Sequence, residues 1–170
     1  MTIARRSLAL LALLGGCSYG FAGGGLPSEL KTVAVLPFEN RTSDPTLAQE
    51  VGTTVREAVE QRLGLRGATE PQADVVVRGT VLRYEPDQPV SFRGTGTGVP
   101  GRASDVEVSR RLLQLSVEVE MMEQASGKNL LRTRTFSVDA QYDPGREAAG
   151  RKDALAQLMT KLIQEAQSQW

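Results

Sequence analysis

The chain has 170 residues, with 20 basic and 20 acidic side chains, a single cysteine and no histidine. Balanced charge argues against a general nucleic-acid binder, and an aromatic content of 5% leaves few platforms for stacking bases or sugars. Without histidine there is no Ser-His-Asp or Cys-His arrangement, and metal sites of the Cys/His kind are excluded for the same reason.

The first sixteen residues read as a lipoprotein signal peptide. Arg5 and Arg6 form a positive start, Ser7 to Leu14 an apolar run too short to span a bilayer, and Leu14-Gly15-Gly16-Cys17 matches the lipobox pattern of an aliphatic residue, two small residues and Cys. Cleavage makes Cys17 the first residue of the mature chain. A lone cysteine in a secreted protein has no disulfide partner, so lipidation is the role expected of it. Acylation at more than one position tethers a protein stably to a membrane without embedding it. From lipoprotein sorting, Ser18 is not the Asp associated with inner-membrane retention, so the expected location is the periplasmic face of the outer membrane. Residues 17–25, with Gly20, Gly23, Gly24 and Gly25, are a flexible spacer. Residues 26–170 are expected to form a single domain.

Within that domain, Lys31 to Phe38 is a β-branched run closed by Pro37, expected as a largely buried first strand, and Asn40 to Pro45 is a turn cluster. Leu47, Val51, Val55, Ala58, Val59 and Leu63 recur at helical spacing, with Asp44 or Ser43 as N-cap, Pro45 at the first helical position and Gly64 as the stop. A second strand is expected from Ala73 to Tyr84, with Val75, Val77 and Val81 on one face and Val76, Leu82 and Tyr84 on the other. Residues 88–108 hold four glycines and two prolines and are expected to be a long loop or frayed hairpin tip.

Alternation is cleanest in the third strand, where Leu113, Leu115, Val117, Val119 and Met121 face inward against Gln114, Ser116, Glu118 and Glu120. Glu118 and Glu120 are a carboxylate pair only in the sense of two solvated residues on a wet face. Ala125 to Lys128 is a tight turn with Gly127 at a positive-φ position, followed by a fourth strand from Asn129 to Gln141. Ala148 to Gln167 is an amphipathic helix with Leu155, Leu158, Met159, Leu162, Ile163 and Ala166 on one stripe. The expected architecture is a two-layer α/β sandwich, of α+β character, in which two amphipathic helices pack on a four-stranded mixed sheet. Gly94-Thr-Gly-Thr-Gly98 resembles a phosphate loop by composition only, since neither Lys-Ser/Thr nor a helix follows it.

The signal peptide ending in Leu-Gly-Gly-Cys, Cys17-Ser-Tyr-Gly-Phe21, Leu26-Pro27, the segment Lys31-Thr-Val-Ala-Val-Leu-Pro-Phe-Glu-Asn-Arg-Thr42 and the strand Ala73 to Val81 together resemble the LptE family of outer-membrane lipoproteins. The resemblance implies a non-catalytic protein that needs no cofactor or metal. Its implied partner is the LptD β-barrel, which it plugs and helps to assemble while delivering lipopolysaccharide to the outer leaflet. It also implies a basic residue that binds lipopolysaccharide in a loop at one end of the sheet. Arg93 and Arg102, in the Gly-rich loop, are the candidates for anionic lipid phosphates, against the simpler reading that they are solvated loop charges. The Pro-Phe-Glu-Asn-Arg-Thr segment also occurs in CsgG-like secretion components and penicillin-binding-protein activators. The alternative is therefore a tethered activator or secretion-channel component, which would require a longer spacer after Cys17. The short spacer and the C-terminal hairpin and helix favour the plug.

Overall fold

The computed structural model describes residues 26–94 and 106–168. The signal peptide, Cys17, the glycine spacer and Arg102 lie outside the described residues. The elements in chain order are β1 (Thr32–Val35), β2 (Glu39–Asn40), α1 (Leu47–Leu63), β3 (Arg66–Gly67), a 3-10 turn at Glu70–Gln72, β4 (Val75–Gly94), β5 (Val106–Glu123), β6 (Asn129–Tyr142) and α2 (Glu147–Ser168). The strands form one mixed sheet in the order β3-β1-β4-β5-β6, with β2 also on β4.

The two-layer α/β architecture is as expected, but the sheet has six strands and not four. Both additions are two residues long, too short to leave a periodic signal. β2 continues β1 along the same edge of β4. Leu36 N–H donates to the Val77 carbonyl at 3.0 Å and Arg41 N–H to the Val81 carbonyl at 2.9 Å, while Pro37 between them has no N–H to give. β3 adds to the outer edge of β1 in parallel, pairing Thr32 with Arg66 and Val33 with Gly67. The parallel β1–β4 pair and the antiparallel β5–β6 pair match the expected connections.

Residues 88–108 required a larger correction. Glycine and proline density pointed to a loop, yet β4 runs on to Gly94 and β5 begins at Val106, paired from Gly94↔Val106 inward. The prolines that β4 contains, Pro86 and Pro89, fall where proline is tolerated, and Pro100 lies outside the described residues. Pro86 lies inside a register shift between Glu85 and Gln88, and Pro89 lies beyond the last residues that pair with β2.

A second register shift corrects the placement of Tyr84. Val75, Val77 and Val81 are buried on the core face as expected. Between Val81 and Arg83 the pairing slips by one residue, so Tyr84 stands opposite the core residue Leu115 and packs against the core with them, not with Val76 and Leu82.

One apolar core lies between the sheet and the two helices. α1 contributes Leu47, Val51, Val55 and Val59, α2 contributes Leu158 and Leu162, and the inward residues of β5 from Leu113 to Met121 are buried without exception. Gly127 takes a φ of 67° in the β5–β6 turn, and Gly64 takes 70° just after α1, as their positions required. Asp44 accepts the Thr46 N–H at 3.0 Å and so does the work of an N-cap with Pro45 and Thr46 as the entry turn, although regular helix starts at Leu47.

Phe38, next to the Pro37 break, folds over a bare patch of sheet at Gly79. A Cβ on Gly79 would lie 2.6 Å from the ring atoms Cδ1 and Cζ, closer than any relaxed contact. Gly79→Ala should therefore destabilise the fold by about 1–3 kcal/mol in urea denaturation, as overpacked cores do. Combining it with Phe38→Leu should cost less than the two single changes added together. Strict additivity would mean that the Phe38 ring is not what fills this space.

Candidate interaction site at the projecting hairpin

β6 pairs with β5 only as far as Arg111↔Tyr142, so residues 88–94 and 106–110 continue as a two-stranded arm beyond the six-stranded body. The pairs Phe92↔Val108 and Arg93↔Glu107 fix its faces. Phe92 is 60% exposed and Val90 40% exposed, the most exposed large apolar side chains among the described residues. Arg93 is thus not in a loop, as the composition implied, but on strand β4, exposed on the opposite face of the arm from Phe92 and level with Glu107. Arg93 and Arg102 are not shown together, since Arg102 lies outside the described residues. Period-two alternation in Val90-Ser-Phe-Arg93 was the signal for a strand here, masked by the glycines that follow it.

The root of the arm is tied down by polar side chains. Gln88 Nε2 donates to Gln114 Oε1 at 3.2 Å and Gln114 Nε2 donates to Asp139 Oδ1 at 3.2 Å, a ladder across β4, β5 and β6. Arg111 is paired with Asp87, and the Tyr142 hydroxyl donates to the Pro86 carbonyl.

Just below, Arg151 of α2 joins three elements. Its guanidinium donates to Asp44 Oδ2 at 2.6 Å and to Glu50 Oε2 at 3.2 Å, lies 3.8 Å from Glu147, and sits 4.9 Å over the Tyr84 ring. Arg151 Nε donates to the Tyr84 hydroxyl at 3.0 Å, and that hydroxyl donates to Glu147 at 3.1 Å. The periodicity of α2 put Arg151 on the polar side, and nothing in one sequence brings Asp44, Glu50 and Tyr84 to it. Burial pushes the Tyr84 phenol up to about 12, helped by Glu147 and opposed by Arg151. The bonds from Thr46, and then from Arg151, hold the Asp44 carboxyl below its ordinary 3.8. Burial pulls the Arg151 pKa down, but its bonds to Asp44 and Glu50 carry it above the ordinary value. These groups are locked together, and the arrangement is an anchorage and not a proton-transfer site.

Glu118 and Glu120 line a shallow cleft on the helix-free face with Arg78 and Thr80. They are half-exposed, as expected of a wet strand face. Among the described residues no group of His, Cys, Asp or Glu could hold a metal ion, and no helix is long and apolar enough to cross a membrane.

The class defined is a two-layer α/β domain with a projecting hairpin, and its fold recurs in solved bacterial proteins. An uncharacterised lipoprotein B from Nitrosomonas europaea matches at 9% identity and a TM-score of 0.53, covering 84% of each chain. The PelC dodecamer subunit from Paraburkholderia phytofirmans matches at 15% identity and a TM-score of 0.52, over 83% of this chain and 93% of that one. Protein XCC0632 from Xanthomonas campestris matches at 14% and 0.59, over 87% and 88%. At such identities the likeness is one of fold. No curated protein matches the sequence. The chain belongs to the LptE family, described as lipopolysaccharide-assembly, whose sequence profile matches residues 30–169.

Arg151→Met should cost about 1 kcal/mol, because it leaves the largely covered Asp44 without its cation, while water screens the more exposed Glu50 and Glu147. Arg151→Lys should recover only part of that, since an ammonium cannot reach Asp44, Glu50 and Tyr84 at once. The lowered Asp44 pKa contributes stability that is present above its unfolded value and lost as pH falls through the folded one. Thermal melts from about pH 6 down to about pH 3 should therefore fall less steeply below pH 3.8 in Asp44→Asn than in the parent. Parallel curves would mean that Asp44 titrates normally.

Proposed function

We propose that this chain is a non-catalytic lipoprotein, anchored to the periplasmic face of the outer membrane through Cys17. It plugs an LptD-type β-barrel, assists its assembly and helps deliver lipopolysaccharide to the outer leaflet. The observation that carries this reading is membership of the LptE family across residues 30–169. The absence of histidine from the whole sequence, with the only cysteine at the lipobox, agrees with a protein that binds and does not turn over substrate. Residues 1–16 are the signal peptide, 17–25 the lipidated spacer and 26–170 one domain in this reading.

The arm is the element best suited to enter a barrel lumen, because it projects from the body and exposes Phe92 and Val90. Arg93 on the arm, and Arg102 in the segment that joins its strands, are the residues assigned to anionic lipid phosphates.

Purification of the tagged lipoprotein from outer membranes in mild detergent should recover a large β-barrel at near-equal amount. Recovery of a peptidoglycan synthase or a secretion channel instead would transfer the assignment to a tethered activator or channel component. Cys17→Ala should abolish acylation and membrane retention while the purified domain keeps its circular dichroism spectrum and melting temperature. Loss of folded structure in that variant would show that Cys17 has a role other than the anchor. Arg93→Glu should weaken retention of lipopolysaccharide several-fold and leave the melting temperature within about 2 °C of the parent, as expected of an exposed substitution. Unchanged retention would remove Arg93 from the site.

A further inference from the structure

We infer that the outer edge of β6 is a docking groove for an extended, acidic strand from another protein. β6 is the last strand of the sheet and 14 residues long, and no further strand lies beyond it among the described residues. Its register with β5 tells which of its backbone groups point outward. Ser116 and Ser137 stand opposite each other with their hydroxyls 2.8 Å apart, and the Ser137 carbonyl accepts the Lys161 ammonium at 2.6 Å from outside the sheet. In an antiparallel ladder one residue sends its N–H and C=O the same way, and the direction alternates along the strand. Thr135, Ser137, Asp139 and Gln141 therefore turn both groups to the open edge, while Phe136, Val138 and Ala140 bond to β5 and bury their side chains.

Proteins usually blunt an edge of this length with proline, a bulge or a cover. From Phe136 to Tyr142 β6 has no proline, no glycine and no register shift. Its cover is partial: α2 overhangs the edge and leaves a groove lined by Arg134, Phe136, Ser137, Lys161, Gln164 and Glu165. A strand edge flanked by a helix is the arrangement by which peptide-recognition domains accept an added strand. The main-chain ladder supplies affinity, and the side chains lining the groove select sequence.

Charge identifies the occupant. Arg132, Arg134 and Lys161 are the cations at this edge; against them stand Glu165, which is paired with Arg134, and Asp139, which accepts from Gln114, so the excess charge is positive. Antiparallel pairing of β6 with β6 of a second copy about Ser137 would set the two Lys161 ammoniums side by side across the dyad. An incoming acidic strand has no such conflict. Its N–H replaces Lys161 on the Ser137 carbonyl, and one of its carboxylates takes the released ammonium. This assignment does not rest on the barrel reading. It specifies a polypeptide strand, whichever envelope protein provides it.

Hydrogen–deuterium exchange of the full lipidated chain in native envelope vesicles, compared with the same chain purified in mild detergent, tests the assignment. The amides of Thr135, Ser137, Asp139 and Gln141 should slow by about tenfold or more in the vesicles. Ser137→Pro removes an outward donor and spares the bonds to β5, so it should keep the protection of core amides but lose the slowing at Thr135 and Asp139. Lys161→Glu, which repels an acidic strand without touching the ladder, should lose that slowing as well. Equal exchange in vesicles and detergent would overturn the proposal, as would slowing that survives both substitutions. A photoreactive side chain at position 139 should form adducts with a foreign polypeptide through an acidic segment. Adducts of the chain with itself or with lipid would overturn the assignment of the occupant. A barrel that co-purifies while the edge exchanges freely would sink this proposal alone, and a protected edge without a barrel would sink the plug reading alone.

Discussion

The fold closes around a single cation. Arg151 sits where α1 and α2 begin and where β4 leaves the body, a place that three separate demands would otherwise pull apart. Helix N-termini carry partial positive charge and favour acids, which the chain supplies as Asp44 ahead of α1, Glu50 in its first turn and Glu147 at the start of α2. Gathered in one corner those acids repel each other, and Arg151 neutralises them while its flat face covers Tyr84. The Arg151 and Asp44 side chains are only 21% and 20% exposed, so this pair is the least screened of the three.

Much of this was legible in the sequence where a period was long enough to read. The five inward residues of β5, the stripe of α2 and the heptad-like run of α1 each repeat over several turns or pleats, and each is buried as its period required. The glycine stops at Gly64 and Gly127 were equally plain, because positive φ leaves little choice of residue. What failed was short or conditional. β2 and β3 have two residues each and carry no period. Tyr84 was assigned to the wrong face because a one-residue slip inverts parity without changing composition. The arm read as a loop because glycine and proline are scored as breakers even when they lie at register shifts and free edges.

The site was less legible than the fold, for a related reason. A lipobox is local and contiguous, so the proposal of Cys17 as the anchor rests on spacing and on nothing in the fold. Arg93 was placed in the wrong kind of element, and the residue opposite it, Glu107, emerged only with the register. Arg151 could not have been singled out, since its partners Tyr84, Glu50 and Asp44 lie 67 to 107 positions away in the chain. A protein whose work is contact distributes its important residues over surfaces, and surfaces are assembled from distant segments.

The position of β1 between β3 and β4 has a consequence for how such a chain comes into being. Both neighbours of β1 lie later in the sequence, and Val33 finds Val75 only after more than one helix and turn have been made. β4, β5 and β6, by contrast, form a meander of adjacent partners that pays little loop-closure entropy. For a polypeptide made N-terminus first, β1 emerges first and waits longest for its place. During that interval Thr32 to Val35 is an unpaired apolar template that the rest of the sheet has yet to cover.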